Sequence, residues 1–123
     1  MPRVLIADDE DSMRTLVARA IAMDGHETVT AEDGAEALDI LTREQGAFDL
    51  LLTDITREDG LGRALLEVAR AIAPSLPILV ITGLTSGPEL AALHALGAPV
   101  LAKPFRPDEL DAAARAAVAG RHE

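Results

Sequence analysis

The chain has 123 residues, an apolar share of 49% and a formal net charge of -10 at pH 7, the size and composition of one domain around a single packed core. Phe48 and Phe105 are its whole aromatic inventory, which excludes stacking platforms for single-stranded nucleic acid, and the acidic balance repels a phosphate backbone. It contains no cysteine, which excludes disulfide frameworks, thiolate metal sites and thiol nucleophiles, and fits a reducing compartment.

No apolar run approaches the roughly 18 residues of a spanning helix. Met1-Pro2-Arg3 leads straight into one short apolar segment, without the apolar core of a signal peptide. The sequence therefore predicts one domain over residues 1–123, soluble and cytoplasmic, with no membrane or nucleic-acid partner.

In chain order, the first element is the apolar run Val4-Leu5-Ile6-Ala7, followed by Asp8-Asp9-Glu10-Asp11. From Ser12 a helical period places Met13, Leu16, Val17, Ala20 and Ile21 on one face, and Gly25 marks its end. Thr28 to Ala31 has modest β-propensity, and Asp33 with Glu36 has the spacing of a capping box opening a second helix, which stops near Gly46.

A second apolar run, Phe48-Asp49-Leu50-Leu51-Leu52-Thr53, precedes Asp54, and a helical face follows through Leu61, Leu65, Val68, Ala69 and Ile72. Ile78-Leu79-Val80-Ile81 leads to Thr82-Gly83, and then Ser86, Pro88 and Glu89 read as a capped helix start, with Gly97 at its end. Val100-Leu101-Ala102 is brief, and beyond Lys103-Pro104 a last Ala-rich helix runs from about Asp108 to Ala119. Strand and helix thus alternate five times, which predicts an α/β domain with a parallel sheet covered on both faces by helices.

In open α/β sheets the chemistry sits at the carboxyl ends of the strands. The residues there are Asp8 and Asp9, Asp54, Thr82 and Lys103. Singly each has an ordinary explanation: an acidic run is a solvated cap, Asp54 a turn starter, Thr82 a β-branched strand residue and Lys103 an exposed cation. Together, three carboxylates around one point need a hard cation such as Mg²⁺ or a proton to offset their repulsion. In that arrangement Asp54 is the nucleophile, Asp8 and Asp9 hold the metal, and Lys103 and Thr82 donate to transferring oxygens.

Val4-Leu5-Ile6-Ala7-Asp8-Asp9-Glu10, Leu52-Thr53-Asp54-Ile55, Ile81-Thr82-Gly83 and Lys103-Pro104-Phe105 make the chain resemble the bacterial response-regulator receiver domain, of the small stand-alone type. The resemblance implies a flavodoxin-like doubly wound fold, a five-stranded parallel sheet in the order 2-1-3-4-5 with five helices. It implies a signalling switch rather than an enzyme, with at most self-catalysed phosphotransfer and autodephosphorylation. Asp54 would accept a phosphoryl group from a phosphohistidine of a histidine kinase or phosphotransfer protein, with Mg²⁺ (or Mn²⁺) held by Asp9, Asp54 and the Thr56 carbonyl, and by Asp8 through a metal-bound water. Thr82 and Lys103 would close on the phosphoryl group, Gly83 would leave room beside it, and the Lys103-Pro104 bond would be cis. Output would pass through binding of a downstream protein, for instance a protease system or another signalling protein, with the domain a monomer or a phosphorylation-dependent dimer.

The chain departs from the family pattern in three places. After Asp54 it reads Ile55-Thr56-Arg57-Glu58-Asp59-Gly60, two residues shorter than the family's usual loop and without its Met-Pro pair. Val100 stands where receivers carry an aromatic switch residue, and the turn Gly97-Ala98-Pro99 is one residue short. These keep open an alternative, a receiver-fold binding module that phosphorylation does not switch. The helix from Ser12, with Arg14, is the family's usual docking surface, and the face of the fourth helix, fifth strand and fifth helix its usual output surface.

Two other readings lose on single residues. A haloacid-dehalogenase-type phosphatase needs a second acid two positions after its nucleophile, where Thr56 stands; a flavin carrier would find its phosphate repelled by Asp8-Asp9-Glu10-Asp11. His26, His94 and His122 have neither metal-ligand spacing nor a nucleophile to activate and read as surface residues.

Overall fold

The computed structural model of the chain describes residues 2–55 and 61–120. Its elements are β1 (Arg3–Ala7), α1 (Asp11–Met23), β2 (Glu27–Ala31), α2 (Gly34–Arg43), β3 (Leu50–Asp54), α3 (Leu61–Ile72), β4 (Ile78–Thr82), α4 (Pro88–Ala95), β5 (Val100–Ala102) and α5 (Pro107–Gly120). The five strands form one parallel sheet in the order β2-β1-β3-β4-β5. None of the described helices is long and apolar enough to cross a membrane.

The continuous apolar runs are explained by burial on both faces. Val4 and Ile6, Leu50 and Leu52, and Leu79 and Ile81 point to one side, where Val17, Ile21, Leu110 and Ala114 of α1 and α5 cover them. Their neighbours Leu5, Ala7, Leu51, Ile78 and Val80 point to the other, against Ala37, Leu41, Leu66, Ala69 and Leu93 of α2, α3 and α4. Successive strand residues alternate in direction, so a strand between two helical layers has no polar face to present.

Register aligns the strand ends. Ala7 pairs with Ala31 and with Thr53, Asp54 with Ile81, and Thr82 with Ala102. The residues that follow or close β1, β3, β4 and β5 therefore emerge along one edge of the sheet.

Local punctuation matches the sequence at several points. Asp33 caps α2 by accepting from the Glu36 amide at 2.8 Å, and Glu36 Oε1 accepts from the Glu32 amide at 3.1 Å. Gly25, Gly46 and Gly97 all take positive φ at helix ends, the left-handed geometry a terminating turn requires. Gly62 serves close packing instead. A Cβ there would stand 2.5 Å from Ile55 Cγ2, so its absence lets the first turn of α3 rest on the residue after Asp54.

The structure corrects four expectations. Leu16 is 52% exposed and Val68 43% exposed, whereas Leu66, outside the expected face, is fully buried. Leu16 lies roughly 100° around the helix from Val17, on the flank away from the sheet, and α3 is rotated so that Leu66 rather than Val68 meets the core. Ser86 does not cap α4; Gly87 occupies that place, and no side chain bonds the cap. His26 is buried, with Nδ1 3.2 Å from the Ile21 carbonyl oxygen, which the Asp24 and His26 amides also reach at the end of α1. His94 is exposed, and His122 lies outside the described residues.

Candidate functional site

Asp54 ends β3 with its side chain only 6% exposed, and the Lys103 ammonium, 20% exposed, forms an ion pair with its Oδ2. The other oxygen, Oδ1, is buried and has no hydrogen-bond partner. Lys103 is brought to this point by its own backbone: its amide donates to the Thr82 carbonyl at 2.8 Å, extending the β4–β5 pairing, and the bond to Pro104 is cis.

Asp8 is buried beside Asp54. Its amide donates to the Ala31 carbonyl at 3.2 Å, the last link between β1 and β2, and its Oδ1 accepts from the Glu10 amide at 2.9 Å. Burial pushes its carboxyl up to about 6; the Glu10 amide and the Lys103 charge oppose this, while the charge of the neighbouring Asp54 adds to it.

Thr82 is fully buried at the end of β4 and its hydroxyl accepts from the Leu84 amide at 3.0 Å. Gly83 is exposed, and a Cβ there would meet nothing within 4 Å. Pro104 is exposed at the rim. Thr56 and the shortened loop to Gly60 lie outside the described residues.

The structure thus joins Asp8, Asp54 and Lys103, with Thr82 on the neighbouring strand end. Asp9 is exposed, and among the described residues no group of three or more His, Cys, Asp or Glu side chains is gathered as a metal site. Asp8 and Asp54 form an acid pair beside Lys103, and Asp9 follows Asp8 directly in the chain. The pair's chemistry suits a hard divalent cation: every donor is oxygen, one carboxylate oxygen is buried without a hydrogen-bond partner, and burial holds the Asp8 carboxyl above its ordinary value.

One contact was not expected from the sequence. Arg14 Nη1 donates to the Asp8 carbonyl at 2.9 Å and Nη2 to Asp11 Oδ1, so Arg14 is turned toward the site instead of standing free on the surface of α1. Its position three residues after Asp11 was the one signal in the sequence, but the carbonyl it reaches carries none.

A parallel 2-1-3-4-5 sheet with a buried acid pair and a lysine at its carboxyl edge defines a CheY-like class of domain. The chain belongs to the response regulator receiver domain family, whose profile matches residues 4–115. It is 35% identical over 115 residues to the response regulator MprA of Mycobacterium sp. (strain KMS), covering 93% of this chain and 49% of that protein. Among solved structures it resembles the Vibrio cholerae chemotaxis protein CheY4 (TM-score 0.82, 31% identity, 95% of this chain and 98% of that one). It also resembles a response regulator receiver domain protein from Clostridium thermocellum (TM-score 0.86, 26% identity, 99% and 98%). The chain spans from 24% to 50% of the length of the curated relatives it matches.

Proposed function

We propose that this receiver domain is a phosphoacceptor switch in which Asp54 takes a phosphoryl group from the phosphohistidine of a histidine kinase or phosphotransfer protein. The observation that carries the reading is the state of Asp54: a nearly buried carboxylate with one oxygen on Lys103 and the other without a hydrogen bond. A buried acceptor atom left unpaired has a cost that persists only where something else stabilises or uses it.

In the transfer, a carboxylate oxygen of Asp54 bonds to phosphorus as the P–N bond to the donor imidazole breaks; the electron pair of that bond stays on the ring nitrogen, which takes up a proton. Lys103 follows the negative charge from Asp54 to the phosphoryl oxygens, and Thr82 turns its hydroxyl from Leu84 to donate to them. Asp8, Asp9, Asp54 and the Thr56 carbonyl would hold Mg²⁺, or Mn²⁺ with the same preference for oxygen. What the metal supplies when bound is charge neutralisation between the carboxylates and the incoming phosphoryl group. The loop from Gly83 to Gly87 then moves with Thr82, and output is by protein–protein binding.

The test is a set of amide NMR spectra with Mg²⁺, before and after beryllofluoride or acetyl phosphate, alongside Asp54→Ala. Shifts that spread from Asp54 to Thr82 and Lys103 and are absent in the variant support the switch. Unchanged spectra in the presence of bound Mg²⁺ would instead leave a binding module that phosphorylation does not switch.

A further inference from the structure

We propose that Arg14 is a positioning residue for phosphoryl transfer, holding the Asp8–Asp9 peptide in the orientation the acid site needs. The inference rests on the phosphoacceptor reading and goes beyond it, because it assigns to α1 a role inside the site.

Asp8 is the last residue of β1's run to touch the sheet ladder. Its amide bonds Ala31, but its carbonyl lies past the end of the pairing. A polar backbone group in that place needs a donor, and the Arg14 guanidinium supplies it at 2.9 Å. The same guanidinium grips Asp11 in the first turn of α1, while the Arg14 amide donates to the Glu10 carbonyl at 2.9 Å. Its side chain is only 15% exposed.

With its carboxylate bonded by the Glu10 amide and its carbonyl by Arg14, Asp8 is anchored at both ends. The carbonyl Arg14 bonds belongs to the peptide that leads into Asp9. Glu10, the cap residue of α1, bonds no helix amide with its side chain, which accepts from the Ser12 hydroxyl at 2.8 Å instead. Arg14 adds a second side-chain tie, and it is the one that reaches the Asp8 carbonyl. A guanidinium suits this role because its planar fork bonds two acceptors from one fixed position.

The experiment uses the full chain with Arg14→Met, which removes the donors, and Arg14→Lys, which keeps one. Asp54 phosphorylation is followed with acetyl phosphate across a Mg²⁺ titration, with amide spectra of Asp8, Asp9 and Asp54 and thermal midpoints in parallel. A small phosphodonor makes no contact with the outer surface of α1, so docking does not enter the rate. Arg14→Met is expected to slow phosphorylation about tenfold at saturating Mg²⁺, with the Asp9 amide displaced and the fold retained, and Arg14→Lys to recover most of the rate.

A wild-type rate in Arg14→Met overturns the proposal, as does a defect seen only with a protein phosphodonor, which would make Arg14 a docking contact. A loss of rate in both variants that tracks their thermal midpoints overturns it in favour of a merely structural bond. Failure of the wild-type chain itself to be phosphorylated removes the phosphoacceptor reading, and the proposal with it; the Asp54→Ala control separates that result from the others.

Discussion

The ammonium of Lys103 rests on Oδ2 of Asp54, while Oδ1 of the same carboxylate is buried without a hydrogen bond. The two residues come from non-adjacent strands, and β4 between them supplies the carbonyl of Thr82 that anchors the lysine's backbone. The pair is expected to couple strongly because each charge is largely removed from water. Lys103→Met should destabilise the fold by about 1–3 kcal/mol and Asp54→Asn with Lys103→Met by less than the sum of the single changes. Urea unfolding of the four proteins of the cycle gives the coupling directly, and additive changes would show that the ion pair contributes nothing.

The Asp8 carboxyl, raised by burial to about 6 from an ordinary 3.8, predicts a pH dependence of stability of definite sign. Between those values Asp8 binds a proton more tightly in the native state than in the unfolded chain, so its contribution to stability is fullest below pH 3.8 and is lost as pH rises through 6. Asp8→Asn should therefore be more stable than wild type at pH 7.5, by about 2 kcal/mol, with the difference vanishing toward pH 4. Saturating Mg²⁺ should stabilise the wild type more than the variant, since the cation relieves the same repulsion. Urea midpoints across pH, with EDTA or Mg²⁺, measure both.

Packing predicts a contrast between leucines that the amino-acid pattern alone does not rank. Leu66 is fully buried and Leu16 is 52% exposed. Leu66→Ala should cost about 2–5 kcal/mol through the cavity it leaves, and Leu16→Ala about 0.5 kcal/mol or less. Equal losses in thermal or urea unfolding would contradict the burial described for α1 and α3.

Arg115 of α5 donates from Nε at 2.9 Å and from Nη2 to the two carboxylate oxygens of Asp24 at the end of α1. This bidentate bond holds the Asp24 carboxyl below its ordinary value, so the stability it contributes is present above pH 3.8 and lost as pH falls below it. Arg115→Met should lower the thermal midpoint at pH 7, and the deficit should shrink on acidification. A deficit that is independent of pH would point to lost packing of the arginine stem instead.

The order of elements, the parallel sheet and the candidate residues were legible in the amino-acid pattern. Runs such as Leu50-Leu51-Leu52 between turn signals leave no polar face, and only a strand covered on both sides buries every member. Asp8, Asp54, Thr82 and Lys103 were legible for a related reason: parallel strands of one sheet end on one edge, so position at a strand's carboxyl end already implies proximity. Periodicity, however, locates a helix face only to within about one residue step, and which flank is covered depends on the neighbouring layer. Leu16, Val68 and Leu66 were assigned by tertiary packing for that reason. His26, Arg14 and the Asp24–Arg115 bond were decided there too, because a side-chain donor takes whichever carbonyl or carboxylate the fold sets in its reach. Asp24 and Arg115 stand 91 residues apart in the chain, a separation across which local pattern carries no information, and it is the packing of α1 beside α5 that makes them partners.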